Sequence, residues 1–351
     1  MPKRNARPSA AAARGATRPA GRGARVAIAG LATLVMVAFG AASAHGAQAD
    51  CVFDEAPGEW TLSADCATDH TIVVPPDVNV DGAGHRILAL DRADASFDGP
   101  VLSVRGGAAS FVRLAIDGSA LGGGCREGAH GLAGIRVERA SVSLTDVTIE
   151  GIGRADGRCD EGVGVEVIGL VDSSLPPPST PEVRLRRVAI RGFQKGGIVA
   201  LGRQRLVVEE SQVGASQAQS RLAANGIQVG LQTVVRLERS VIAGNSWCCA
   251  GPAATAVLLV DAGRGSVVRN NRLVGGNADV GIFLLSDQVL VESNFLVDEG
   301  VDGVHDVGIL NRGAANVVKD NLVVGFDVAY EGPPESWIET AARRSAADEA
   351  D

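Results

Sequence analysis

The chain has 351 residues and a formal net charge of −8, with 45 glycines and aromatic residues at only 3%. A net negative surface excludes nucleic acid as a partner, because phosphate binding needs a basic face. So many glycines and β-branched residues, with few uninterrupted helix-forming windows, also exclude a helical solenoid.

Residues 1–49 read as a signal peptide. Seven basic residues and no acidic one precede an apolar run from Val26 to Ala42, and two small-x-small cleavage sites follow, Ala42-Ser43-Ala44 and Ala47-Gln48-Ala49. No second apolar run follows, so no integral membrane span is expected after cleavage, and the location implied is secreted, periplasmic or cell-surface. Loss of those residues leaves 26 basic side chains against 41 acidic ones, a net charge of −15. Such a chain repels polyanionic sugars unless a local basic patch or a bound cation intervenes.

Residues 50–70 are expected to cap a repeat that fills 71–328. A small residue followed by Ile or Val recurs as Gly134-Ile135, Gly164-Val165, Gly197-Ile198, Gly226-Ile227, Ala256-Val257, Gly281-Ile282 and Gly308-Ile309, at intervals of 30, 33, 29, 30, 25 and 27 residues. A second apolar column holds Leu144, Leu185, Val208, Leu237, Val268, Val291 and Val318. Three positions on stand Val147, Val188, Ser211, Ser240, Asn271, Asn294 and Asn321. Like residues in register predict an all-β, single-stranded right-handed parallel β-helix of about nine coils, with stacked asparagines at a turn where they tolerate a left-handed backbone. Outward columns of mixed charge, such as Arg186, Glu209, Glu238, Arg269, Glu292 and Lys319, read as a solvated salt-bridge ladder.

The segments Trp60-Thr61-Leu62-Ser63-Ala64-Asp65-Cys66, Thr71 to Pro75 and Val78 to Ile87 resemble the opening coils of the pectate-lyase-like β-helix superfamily. The closest likeness is to its carbohydrate-binding and sugar-hydrolase branch, which includes the periplasmic NosD-type proteins. That superfamily holds polysaccharide lyases, hydrolases, epimerases and adhesins, so the resemblance implies the fold and leaves the activity open. Asp302-Gly303-Val304-His305-Asp306 is distantly similar to the Asp-Pro-His-Asp motif of alginate epimerases, with one residue inserted and the proline missing.

Long connections between Asp117 and Gly134, Glu150 and Gly164, Gly214 and Gly226, and Ala243 and Ala256 leave one corner, where a functional face is expected. The insertion Leu170 to Pro181 lies at another turn. Cys51 and Cys66 are expected to pin the N-terminal end, and Cys125 to bridge Cys159 between adjacent corner loops. Cys248 and Cys249 lie roughly 14 Å further on by strand spacing, too far to reach Cys159, and are left to each other or to a partner elsewhere.

The sharpest polar cluster on the corner is Asp298, Glu299, Asp302, His305 and Asp306, with Asp279 one coil earlier in the column of Asp306. Asp306, His305, Asp302 and Asp279 are the catalytic candidates, as an acid and base pair. Asp279 and Asp306 could instead hold calcium, and no other cofactor is implied. Asp298, Glu299, His130 and Trp247 are the candidate binding residues. After the repeat, Ser336-Trp337-Ile338-Glu339 has capping-box spacing, which predicts a short capping helix to about Ala346 and a disordered Asp348 to Asp351. Two readings follow: a non-catalytic exported β-helix that presents its loop face to a surface glycan or protein, and a carbohydrate-active lyase, uronate epimerase or glycoside hydrolase. The sequence carries no signal for an oligomeric state.

Overall fold

The computed structural model describes residues 51–124, 131–154, 160–170, 180–216, 223–245, 254–275, 279–298 and 306–338. The expected signal peptide, the centre of the proline insertion and the tail after Ile338 lie outside these residues. Three sheets of short strands run along one axis, here called A, B and C, with 12, 10 and 10 strands. Each coil gives one strand to each sheet in turn, and every strand pairs in parallel with its counterparts one coil before and after, apart from the first hairpin. Ten rungs on two of the faces match an expectation of about nine coils. The connections are right-handed, as parallel crossovers between right-twisted strands require.

The predicted columns are the observed registers. Ile135, Val165, Ile198, Ile227, Val257, Ile282 and Ile309 stack in sheet C, and Leu144, Leu185, Val208, Leu237, Val268, Val291 and Val318 stack in sheet A. None of these side chains is more than 1% exposed, so one aliphatic core runs the length of the solenoid. The small residue before each Ile is imposed by packing. A β-carbon on Gly164 would strike both the Ile190 side chain and the Gly197 carbonyl oxygen of the next coil.

The turn from sheet A to sheet B differs from expectation in one detail. The left-handed residue of each bend stands one position before the asparagine column: Arg113, Asp146, Arg187, Glu210, Arg239, Asn270, Ser293 and Asp320 all have φ between 49° and 57°. Exposure at the bend tolerates varied side chains there. The asparagines point inward, with Asn271 and Asn294 buried, and they hydrogen-bond from coil to coil. Asn271 Nδ2 donates to Asn294 Oδ1 at 3.0 Å, and Asn294 Nδ2 to Asn321 Oδ1 at 2.9 Å. The oxygens also accept the backbone N–H of the coil before, in an unbroken series from Val188 through Ser211, Ser240, Asn271 and Asn294 to Asn321 at 3.0–3.2 Å. Turn N–H groups that no strand can satisfy are thereby paired inside the core.

At the N-terminal end Phe53–Ala56 folds antiparallel onto Glu59–Leu62 at the edge of sheet A. Cys51 is joined to Cys66, as expected, and the Phe53 and Trp60 rings lie 5.3 Å apart. This hairpin covers the first edge, which would otherwise be open for pairing. At the other end the expected helix does not begin at Ser336. Pro334–Ser336 is a 3-10 turn, and Trp337–Ile338 is a strand paired with Val317–Lys319. The free backbone groups of that last sheet A strand outweigh the local capping-box preference, since Trp and Ile suit a strand and complete the edge.

Candidate functional site

The long connections leave sheet B and enter sheet C at one corner, as the insertions predict. Val280, Val307 and Val328 share a register in sheet C, so the residues just before them, Asp279, Asp306 and Asp327, occupy one position on three successive coils. Asp279 and Asp306 are therefore brought together as expected, and Asp327 extends the column by one. Backbone pairing fixes the stack: Val307 N–H donates to the Asp279 carbonyl at 3.0 Å, and Val328 N–H to that of Asp306 at 3.1 Å.

Asp279, Asp298 and Asp306 are buried at this corner, whereas Asp327 is exposed. Asp279 is 3% exposed and its Oδ2 accepts the Ala254 N–H of the preceding coil at 2.9 Å. Asp327 Oδ2 accepts the Asp306 N–H at 3.3 Å. This repeats with acids what the asparagine ladder does with amides. Asp298, also buried, ends the strand Phe295–Asp298 opposite Gly275. Next to it Gly325 has φ +89°, and a β-carbon there would collide with the Asp298 carbonyl, so the chain closes over that aspartate. Asp302, His305, Glu299, His130 and Trp247 lie outside the described residues, as do Cys125, Cys159, Cys248 and Cys249. Among the described residues no group of three or more His, Cys, Asp or Glu is placed to hold a metal ion, and no helix is long and apolar enough to cross a membrane.

A second polar centre at this corner was not anticipated. Arg154, 3% exposed, donates through Nε to Glu161 Oε1 at 2.9 Å and through a terminal nitrogen to the Phe97 carbonyl at 2.6 Å, while its backbone N–H donates to Gln194 Oε1 at 2.7 Å. Glu161, equally buried, accepts the Leu132 N–H at 3.2 Å. Asp91 stands 3.8 Å from Arg154 and accepts from the N–H groups of Phe97, Gly122 and Gly123 at 2.6–2.8 Å. One buried ion pair thus ties together the corner connections of four successive coils. In sequence Arg154 is one of two arginines, with Arg158, in a glycine-rich loop, which reads as solvated surface. The acid at 161, just before a Gly-x-Gly entry to a strand, was the available signal.

No family model and no curated protein matches the chain. Among solved structures it is similar to the periplasmic alginate epimerase AlgG, with 11% identity, a TM-score of 0.44, and coverage of 77% of this chain and 57% of AlgG. A double mutant of AlgG gives 10% identity and a TM-score of 0.46, over 84% and 69% of the two chains. The A-module of the mannuronan C-5 epimerase AlgE4 of Azotobacter vinelandii gives 15% and 0.39, over 81% and 89%. The fold is a parallel β-helix of three sheets. The chain spans little more than half of AlgG, and the epimerase reaction belongs to those proteins.

Proposed function

We propose that the chain is an exported, non-catalytic parallel β-helix that binds a surface or extracellular polysaccharide. The observation that carries this reading is the employment of the corner acids. A general acid or base must reach its substrate and exchange protons there, whereas Asp279, Asp298 and Asp306 are each no more than 6% exposed and Asp279 Oδ2 is engaged by the Ala254 N–H of the coil before. The Cys51–Cys66 bond supports export, because structural disulfides persist in oxidising compartments. A repeating outer surface with rungs about 4.8 Å apart suits a repeating polymer.

The enzymatic reading, a lyase, uronate epimerase or hydrolase using Asp306 with His305 and Asp302, draws its support from the adjacency of Asp279 and Asp306 on neighbouring coils. Calcium between those two carboxylates belongs to that reading. Affinity depletion with immobilised uronate-rich and neutral polysaccharides, with and without calcium, tests the proposal. At least one polysaccharide should retain the protein, and failure to bind any of them would overturn it.

A further inference from the structure

The outer face of sheet A carries a feature at odds with the charge of the chain. Arg205, Arg236 and Arg269 stand on three successive strands, Arg205–Glu209, Val234–Glu238 and Val267–Arg269. The registers Arg205↔Val234 and Arg236↔Val267 shift each arginine two residues along its strand from the one before. They form a diagonal row at rung spacings of about 4.8 Å. Between them lies a cavity of about 280 Å³ lined also by Val234, Val235, Val267, Gly265 and Glu238.

Glu238 organises this row. Its side chain is 1% exposed, and its two oxygens are filled by Arg236 Nε at 2.5 Å, Arg269 Nε at 2.7 Å, a second Arg236 nitrogen at 3.1 Å and Arg239 at 3.0 Å. Arg239 has further acids in Glu209 and Glu210, each 3.8 Å away. Arg205 has Glu182 at 3.8 Å and is more than half exposed. The cavity wall therefore holds three guanidiniums against one saturated carboxylate over a floor of valines. Fixed donors over an apolar floor focus a positive potential that needs no rearrangement to receive an anion, and the planar guanidinium fork matches carboxylate and phosphate oxygens alike.

We propose that this cavity is a binding site for an oxyanion group, a carboxylate or a phosphate, carried on a saccharide. The assignment rests on the polysaccharide-binding reading above and places the contact on the outer face of sheet A, away from the corner acids. It also supplies the local basic patch without which a chain of net charge −15 would repel an acidic polymer.

Titration calorimetry of the full exported chain with inorganic phosphate, galacturonate and galacturonate methyl ester tests it. Phosphate or galacturonate should bind, more weakly as salt rises, and the uncharged ester should not. Arg205→Gln and Arg269→Gln should each weaken binding about tenfold or more, the worth of one hydrogen bond to a charged group. Arg205 is more than half exposed and its ion pair is the 3.8 Å contact to the partly exposed Glu182, so its variant keeps the test valid even where Arg269→Gln disturbs the fold. Binding of phosphate alone or galacturonate alone supports the site and names the source of the oxyanion. Binding that both variants leave unchanged, or that the ester matches, overturns it. Absence of binding by either anion also overturns it, and a neutral polysaccharide still retained by the protein then leaves the broader reading intact.

Discussion

Truncation of Asn294 to alanine should be among the most damaging single changes outside the aliphatic core. Asn294 Oδ1 accepts both the backbone N–H and the Nδ2 of Asn271, each at 3.0 Å, and its Nδ2 donates to the Val268 carbonyl and to Asn321 Oδ1, each at 2.9 Å. The side chain is 2% exposed, so water cannot replace these partners. Removing it strands at least the Asn271 N–H and the Val268 carbonyl, at about 1–3 kcal/mol each, for a total loss of about 3 kcal/mol. Against a typical stability of about 5–15 kcal/mol this is a large fraction, and for a solenoid of this length the midpoint of thermal unfolding should fall by roughly 5 °C. Asn294→Ser should recover part of the loss, because Ser211 and Ser240 accept the same backbone N–H with a hydroxyl in this ladder. Denaturant unfolding of the three proteins decides it. A loss below about 0.5 kcal/mol for Asn294→Ala, or serine no better than alanine, would refute the argument that the ladder satisfies otherwise stranded turn groups.

Arg154→Met should cost about 3–5 kcal/mol by leaving Glu161 buried without its cation, and Arg154→Met with Glu161→Met should regain most of that in the same unfolding assay. Reduction of Cys51–Cys66, which closes a separation of 15 residues, should lower stability by about 3 kcal/mol, read from unfolding with and without reductant. Burial acts to raise the pKa of Glu238, and the hydrogen bonds from Arg236 and Arg269 outweigh it, holding the carboxyl below the usual glutamate range. A depressed folded value means stabilisation that is present above the ordinary glutamate range and lost as pH falls through the folded one, so Glu238→Gln should flatten the stability curve below about pH 4. Protease nicking within residues 171–179 should leave the two fragments together, because sheets A and C pair continuously across that insertion; fragments that separate without denaturant would argue for two domains.

The solenoid was legible because its evidence is periodic. The Gly-Ile pairs, the second apolar column and the charged column from Arg186 to Lys319 each recur at coil length, and each is an observed register. The left-handed positions escaped because exposure there admits Arg, Glu, Asp, Asn and Ser alike, which leaves no signature. The end strand Trp337–Ile338 was misread because a capping box is a local pattern, while the open sheet edge that recruits it is set by coils far back in sequence. The corner acids were found as a column, but not their use: sequence places Asp279 over Asp306 without telling whether the carboxylates face a ligand or a backbone N–H. The Arg154–Glu161 pair and the arginine row were hidden for a related reason. Charges on a strand or loop read as solvated until the covering connections, or a shared buried carboxylate such as Glu238, become visible.

The central functional claim, binding without turnover, is tested most directly by recovering the glycan. A polysaccharide that the protein retains is incubated with it, with and without calcium, and then analysed for chain length, unsaturated ends and sugar configuration. The recovered material should be identical to the untreated polymer. Shortened, unsaturated or epimerised product whose formation disappears in Asp306→Ala would contradict it and place the corner acids in a catalytic site.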